Sequence, residues 1–388
     1  MKTTCDALIL GLGAIGSAAL YQLAKQGQKV LGVDQFSPPH IYGSSHGETR
    51  IIRQAIGEGE GYTPLSVRAY ELWKEIEGYS GQRLFTQTGG LVIDNGSSKK
   101  YIAQTDFFTN TVTSAKKYHI PHHLLNANEL RYQFPQFNVN DNAKGFYEYT
   151  AGFLYPEQCI TSQMTLAKQH GAIIHKNEKI EYFRQTPYST VYVKTNQGHY
   201  EVKNLILCAG SWISQLLNPS YSHLFTPTRQ ISFWFGIRDN LDYFSPQTCP
   251  IFIMKGIDQP FYGFPAIQGL EKGVKIARGN FGDSTGADTI NRHVSPKEIS
   301  NMFQGISRYL PGLDARCIKT ATCLYTLTPD NHFIIDWYPE IPSVLLVSPC
   351  SGHGFKYSAA IGEVVAQLVM NGSSECDISR FGLSRFNP

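Results

Sequence analysis

The sequence has eight cysteines, scattered from Cys5 to Cys376, but no C-x-x-C pair and no two pairs at zinc-ligand spacing. No metal site is therefore expected. A chain of 388 residues has core enough without disulfides, so free thiols in a reducing compartment are expected. No apolar run approaches the ~18 residues of a membrane span. The apolar opening at Ala7 is cut by Gly11, Gly13 and Gly16, unlike the unbroken core of a signal peptide. Ser384 to Pro388 is not a peroxisomal address, so a cytoplasmic protein is expected, with no membrane partner. Charge of one sign is also missing. Lys plus Arg is 34 against 31 for Asp plus Glu, a net +3 that gives no reason to expect a nucleic-acid partner. Internal repeats and low-complexity tracts are absent. At 42% hydrophobic and 17% charged residues the chain is too apolar for disorder. Its length suggests about two or three domains.

What is present begins at the amino end. Ala7–Leu10 reads as a strand, Ala14–Gln26 as a helix and Leu31–Val33 as a second strand, a βαβ unit. Its turn, Gly11-Leu12-Gly13-Ala14-Ile15-Gly16, fits G-x-G-x-x-G, and Asp34 ends the second strand. Gly11 permits the tight turn, Gly13 lets a pyrophosphate approach the backbone, and Gly16 lets helix and strand pack closely. Free N–H groups at the helix start suit the phosphate, and Asp34 is placed for a ribose. This motif implies a dinucleotide without choosing between FAD and NAD, so a pyridine-nucleotide dehydrogenase is one reading. Asp34 disfavours a 2′-phosphate.

The polar stretch Ser37–Gly61 has no period and is long enough to be functional. Helices are expected at Tyr62–Gly78, Lys99–Tyr118, Cys159–His170, Pro296–Tyr309 and Ser358–Val369, and a hairpin at Leu84–Asp94. Strands are expected at Ala172–His175, Val191–Thr195, Leu205–Leu207, Ile231–Ile237, Ile251–Met254, Phe261–Phe264, Val274–Arg278 and Val344–Val347. The fold class is α/β: a discontinuous Rossmann-type domain over 1–80, 150–218 and 330–388, with an inserted antiparallel or mixed-sheet α+β substrate domain over 81–149 and 219–329.

Three further stretches narrow the reading. Gly43-Ser-Ser-His-Gly-Glu-Thr-Arg-Ile-Ile-Arg53 resembles a loop of the monomeric sarcosine oxidase and N-methyltryptophan oxidase family. Ala321-Thr-Cys-Leu-Tyr-Thr326 is similar to the family's flavin-linked segment, and Ser351-Gly-His-Gly-Phe-Lys356 to its late Gly-rich turn. The likeness runs from about Cys5 to Phe386. It implies a monomeric enzyme with FAD held covalently. It also implies oxidation of a secondary N-methyl amino acid by O2, giving the demethylated amino acid, formaldehyde and H2O2.

The resemblance assigns roles. Cys323 would carry the flavin, a reaction that needs an electropositive, accessible thiolate. Arg53 and Lys356 would hold the substrate carboxylate, and Arg50 and His46 would lie near the flavin. Lys275 would stabilise the charge that develops as O2 is reduced. Tyr262 and Tyr325 would wall the pocket. Ser44, Thr49, Gly210, Gly352 and Gly354 would join Gly11, Gly13, Gly16, Asp34, Arg50 and Lys356 around the cofactor, and Gly352 would meet the substrate amine through its carbonyl. One departure stands out: Gly279, followed by Asn280, occupies the place of a pocket histidine four residues after the strand lysine. Sarcosine itself is therefore not assured, and a larger pocket or a more acidic preference is open. Two other readings stay open: a related flavin oxidase of a cyclic imino acid or primary amine, such as pipecolate or glycine, and a non-catalytic FAD-bound sensor or scaffold.

Overall fold

In the computed structural model, which describes residues 3–96, 107–267, 269, 272–279 and 282–386, the chain opens with strand Thr3–Leu10, helix Ala14–Lys25 and strand Val30–Asp34. Ala18, Ala19, Leu20, Leu23 and Ala24 are strong helix formers and all are buried. The helix packs against helices Pro156–Gln169 and Ser358–Asn371. Its approach to the last is so close that a Cβ on Gly362 would lie 2.7 Å from that of Ala18.

The two opening strands are central to an eight-stranded sheet. Ile173–Lys176, Val30–Asp34, Thr3–Leu10, His199–Leu207 and Val344–Ser348 run parallel in that order. Val191–Thr195 and Ile180–Gln185 extend it antiparallel, and Ile334–Trp337 pairs with Val344–Ser348. The chain leaves Thr3–Leu10 toward one side and returns to its other side, so the carboxyl ends of these strands open a crevice where ligands of such sheets bind.

A second, mixed sheet runs Leu313–Leu327, Thr226–Ile237, Val274–Arg278, Phe261–Phe264, Ile251–Lys255, Gly90–Asp94, Lys144–Glu148, His122–Asn126. All its pairings are antiparallel except Gly90–Asp94 with Ile251–Lys255. Side chains alternate across it. Phe252, Phe261, Val274 and Ile276 enter the apolar core beneath helix Pro296–Ile306, while Ile253, Tyr262 and Lys275 lie on the opposite face.

Helix Thr63–Ser80 buries Leu65, Ala69, Leu72, Trp73 and Ile76 along one stripe. Each large side chain there contributes about 1.5–3 kcal/mol. Among the described residues no helix is long and apolar enough to cross a membrane.

The expected hairpin at Leu84–Asp94 does not form. Phe85–Gln87 pairs with Gly152–Leu154, which also pairs with Arg50–Ile52, in a separate three-stranded sheet, while Gly90–Asp94 enters the mixed sheet. The chain turns between them at Gly89, whose φ is +75°, and the N–H groups of Thr88 and Gly89 both donate to Ala151 O. Hydrogen bonds to a distant segment thus replace those across the hairpin. Of the helix expected at Lys99–Tyr118, Phe107–Lys117 is present; residues 99–106, like Asn280, lie outside the described residues.

Candidate active site

One continuous cavity of about 420 Å³ starts at the carboxyl ends of the parallel strands, at Gly11, Gly13 and Asp34, and reaches Arg53, Lys356 and Tyr262. Gly11 has φ +86°, and a Cβ on it would lie 2.5 Å from Cys208 O. Gly16 touches the strand end so closely that a Cβ would lie 1.7 Å from Gly11 O, and it does not line the cavity. Gly13 differs from both: a Cβ there would meet only Ser45 Oγ, at an ordinary 3.6 Å. No contact among the described residues demands glycine at 13, and the start of the helix beyond it is reached only by Ser45 Oγ, 3.4 Å from Ala14 N. A helix start with one long side-chain bond, beside open space, fits a pyrophosphate.

Asp34 is buried, and its two carboxylate oxygens accept from Leu12 N and Phe36 N, each at 2.7 Å. It therefore ties the glycine turn together, with acceptor capacity left on both oxygens for a ribose. Burial raises its pKa, against the pull of these N–H groups and of His40.

At the far end, Arg53 and Lys356 converge on a carboxylate that the sequence did not single out. Arg53 Nη2 donates to Glu58 Oε2 at 2.6 Å, and Lys356 Nζ lies 3.6 Å from Glu58 Oε1. Burial alone would raise the Glu58 carboxyl; Arg53 and Lys356 instead hold it well below the usual range. Burial, aided by Arg53 and opposed by Glu58, brings Lys356 down to about 8. Lys356 also donates to His353 O at 2.9 Å, from the turn that leads into helix Ser358–Asn371. The other Arg53 arm, Nη1, donates to Ala55 O. That segment is fixed by Glu148, fully buried, whose oxygens accept from Gln54 N at 2.8 Å and Ala55 N at 3.0 Å.

Between the two ends lies the Gly43–Arg53 loop. Arg50 donates to Thr49 O at 2.7 Å and Ser44 O at 2.6 Å. Lys275, on strand Val274–Arg278, donates to Gly47 O at 2.5 Å and to Thr49 O and Oγ1 at 3.1 Å. Its ammonium lies 5.2 Å from the Trp234 ring centre. Burial and then Arg50 push Lys275 well below the lysine range, while three oxygen acceptors match the three donors of an ammonium. Ser44, Thr49, Arg50 and Lys275 all line the cavity.

Tyr262 and Tyr325 share a hydroxyl–hydroxyl bond of 3.0 Å at the cavity wall. Gly210 lines it too, as do Gly352, where a Cβ would lie 2.7 Å from the Tyr325 ring, and Gly354, where it would lie 1.5 Å from Pro349 O. His46 and Cys323 do not line it. His46 is buried, its Nε2 without a hydrogen-bond partner among the described residues, and burial, Arg50 and Lys275 push it down to about 3, so it is neutral. Cys323 lies two residues before Tyr325 on strand Leu313–Leu327. The electropositive setting is there, since Arg50, Lys275 and Arg292 pull its pKa down, but burial outweighs them and raises it. The accessible thiol expected from the sequence is thus 7% exposed.

A family model described as FAD dependent oxidoreductase matches residues 6–368. The chain belongs to this family. The monomeric sarcosine oxidase of Bacillus sp. (strain B-0618) is 38% identical to this flavoenzyme, over 99% of the chain and 97% of that protein. The N-methyl-L-tryptophan oxidase of Yersinia pestis (strain Pestoides F) is 34% identical, over 98% and 99%. Among solved structures, L-proline dehydrogenase from P. horikoshii superposes with TM-score 0.83 at 20% identity, over 100% of this chain and 99% of that one. NikD, an amino acid oxidase, does so with 0.82 at 18%, over 98% of each. Those two show the shared fold.

In the flavoenzyme, three site residues escape sequence reasoning: Glu58, Glu148 and Lys255. Glu58 sits in an aperiodic loop, and Glu148 lies 94 residues from the Gln54 N–H it binds. Lys255 continues the alternation Ile251, Ile253, Lys255 at a strand end, the one signal that could have revealed it.

Proposed function

We propose that this flavoenzyme oxidises secondary N-methyl amino acids with O2, giving the demethylated amino acid, formaldehyde and H2O2, with FAD carried on Cys323 through a thioether. One observation carries the reading: Arg53 and Lys356 meet on a carboxylate at one end of the cavity whose other end is the glycine-rich turn. The activities named for the sarcosine and N-methyltryptophan oxidases support it. Bound FAD would supply the two-electron acceptor for an N-methyl C–H hydride and the route of those electrons to O2.

The chain's own residues then have defined tasks. The substrate carboxylate binds Arg53 and Lys356 beside Glu58, which fixes the amine's direction. The amine must be unprotonated so that its lone pair can drive hydride loss from the methyl carbon, and Gly352 O is the acceptor we assign to its N–H. Tyr262 and Tyr325 close the side wall. Lys275 and Arg50 set positive charge where reduction of O2 develops negative charge, and they stand preorganised by their backbone acceptors. Gly11, Gly13, Ser44, Thr49, Gly210 and Gly354 are assigned to the cofactor, with Asp34 on its ribose. His46 is assigned to ordering the loop around the flavin, as a neutral ring. The eight free cysteines support a reducing, cytoplasmic setting, and we take the enzyme to act as a monomer.

Acid precipitation of purified yellow protein, followed by anaerobic titration, tests this. The expected results are a yellow pellet, colourless in Cys323→Ala, and bleaching by N-methyl amino acids. Bleaching by glycine or pipecolate alone would overturn the substrate class, and a colourless wild-type pellet would overturn the tether.

A further inference from the structure

Lys255 brings a further cation to the cavity. It ends strand Ile251–Lys255 and lines the cavity beside Arg53 and Glu58. No hydrogen bond or ion pair joins its ammonium to another described residue. Its nearest partner is the Phe107 ring, 4.9 Å from Nζ to centre, and the Arg53 guanidinium lies 5.0 Å from the same centre. Two cations therefore lie against one aromatic ring; Glu58 is engaged by Arg53 and Lys356, and Asp94, opposite Lys255 in the ladder, accepts from Gly96 N at 3.2 Å.

The charges at this end do not balance with a simple substrate. Three cations, Arg53, Lys255 and Lys356, face one carboxylate, and a fourth, the exposed Arg278, lies beside Gly279. An α-carboxylate brings the anions to two; a second substrate carboxylate brings them to three. A buried charge is costly unless paired, so the missing anion is a strong recognition element. Burial lowers the Lys255 pKa while Glu58 raises it, and a carboxylate in contact would favour the ammonium further.

The sheet register places that second carboxylate. Rows Ile253–Tyr262–Ala277 and Met254–Phe261–Arg278 cross three neighbouring strands. Lys255 and Gly279 lie one residue further, on either side of Pro260, whose carbonyl accepts from Gly279 N at 2.7 Å. Alternation puts both on the face of Tyr262 and Ile253, toward the cavity. At Gly279 no side chain stands, and the three nearest neighbours of an added Cβ all belong to Pro260. The nearest, Pro260 O, would lie at 3.3 Å, closer than ordinary contact, so the glycine packs against Pro260; Lys255 and Gly279 both line the cavity.

We propose that the substrate is an N-methyl α-amino diacid, of the N-methylaspartate or N-methylglutamate class, whose side-chain carboxylate pairs with Lys255. This rests on the proposed amino-acid oxidase function and specifies its substrate. The chemistry is unchanged: an N-methyl C–H bond breaks as hydride, O2 is reduced to H2O2, and water takes up the carbon as formaldehyde, freeing the amine.

The test compares N-methyl-L-aspartate and N-methyl-L-glutamate with N-methyl-L-alanine, for wild type, Lys255→Met and Lys255→Arg. We expect a diacid to exceed N-methylalanine in kcat/KM by roughly tenfold or more, that ratio to fall by a similar factor in Lys255→Met, and Lys255→Arg to keep most of it. No diacid preference, or a ratio that survives Lys255→Met, overturns the proposal. Calorimetric titration of holoenzyme with succinate and with butyrate reads the same contact without turnover. Tighter succinate binding lost in Lys255→Met supports the pairing even if no N-methyl amine bleaches the flavin, an outcome that would sink the amino-acid oxidase reading alone. Equal binding of the two acids overturns the pairing.

Discussion

Arg53 Nη2 and Glu58 Oε2 lie 2.6 Å apart, and the same carboxylate faces Lys356 at 3.6 Å. The Lys356 ammonium is held down at about 8, so it is charged below that pH and lost above it. Competitive binding of an amine-free monocarboxylate such as propionate should therefore be flat below pH 8 and weaken as pH climbs past it. The measurement is the inhibition constant against pH. In Lys356→Met the break should vanish and binding be weak throughout; a break that persists would assign it to another group.

Glu148 is a positioning residue for Arg53. Its oxygens hold the N–H groups of Gln54 and Ala55, and Ala55 O in turn holds Arg53 Nη1. Glu148→Gln replaces one acceptor oxygen by an NH2 facing an N–H. The expected loss is about 1–3 kcal/mol of stability in urea unfolding, with KM raised more than kcat is lowered. Equal loss of kcat and kcat/KM would count against a positioning role.

Gly11 and Gly13 should respond in opposite ways. Gly11→Ala meets Cys208 O at a positive φ and should lower soluble yield or thermal stability. Gly13→Ala has room in the chain, so it should fold with near-native circular dichroism and carry less FAD per polypeptide. Full FAD occupancy in Gly13→Ala would remove the pyrophosphate from this turn.

Lys275→Met removes the charge next to the Gly47–Thr49 carbonyls. Reoxidation of the reduced enzyme by O2, followed by stopped flow, should slow by about 10²–10³-fold, more than reduction by substrate does. An unaltered oxidation rate would relieve Lys275 of its role.

The parts legible in the sequence were those encoded locally. Gly11, Gly13, Gly16 and Asp34 lie within one βαβ unit, whose strands and helix follow from apolar period alone, and the structure forms them as expected. The Leu84–Asp94 segment misled because both halves are strands, and only the distant Ala151 carbonyl decides that they part at Gly89. Strand Leu313–Leu327 was visible only through its Ala321–Thr326 motif, since its first half is largely exposed and lacks an apolar alternation. Glu58 and Glu148 act through contacts that arise when the loop after Arg53 meets other elements. No local pattern records such contacts, because burial and a convergent partner define them.

Cys323 and Tyr325 share one face of a strand that is zipped to Thr226–Ile237 along its length. Sliding that ladder by a single residue would turn Thr322 and Leu324 to the face they occupy. Anchor and pocket wall would then be lost together. The register of one β-ladder thereby enforces a fixed spacing between the proposed tether point and the substrate, so the two cannot drift apart in evolution by small steps along this strand.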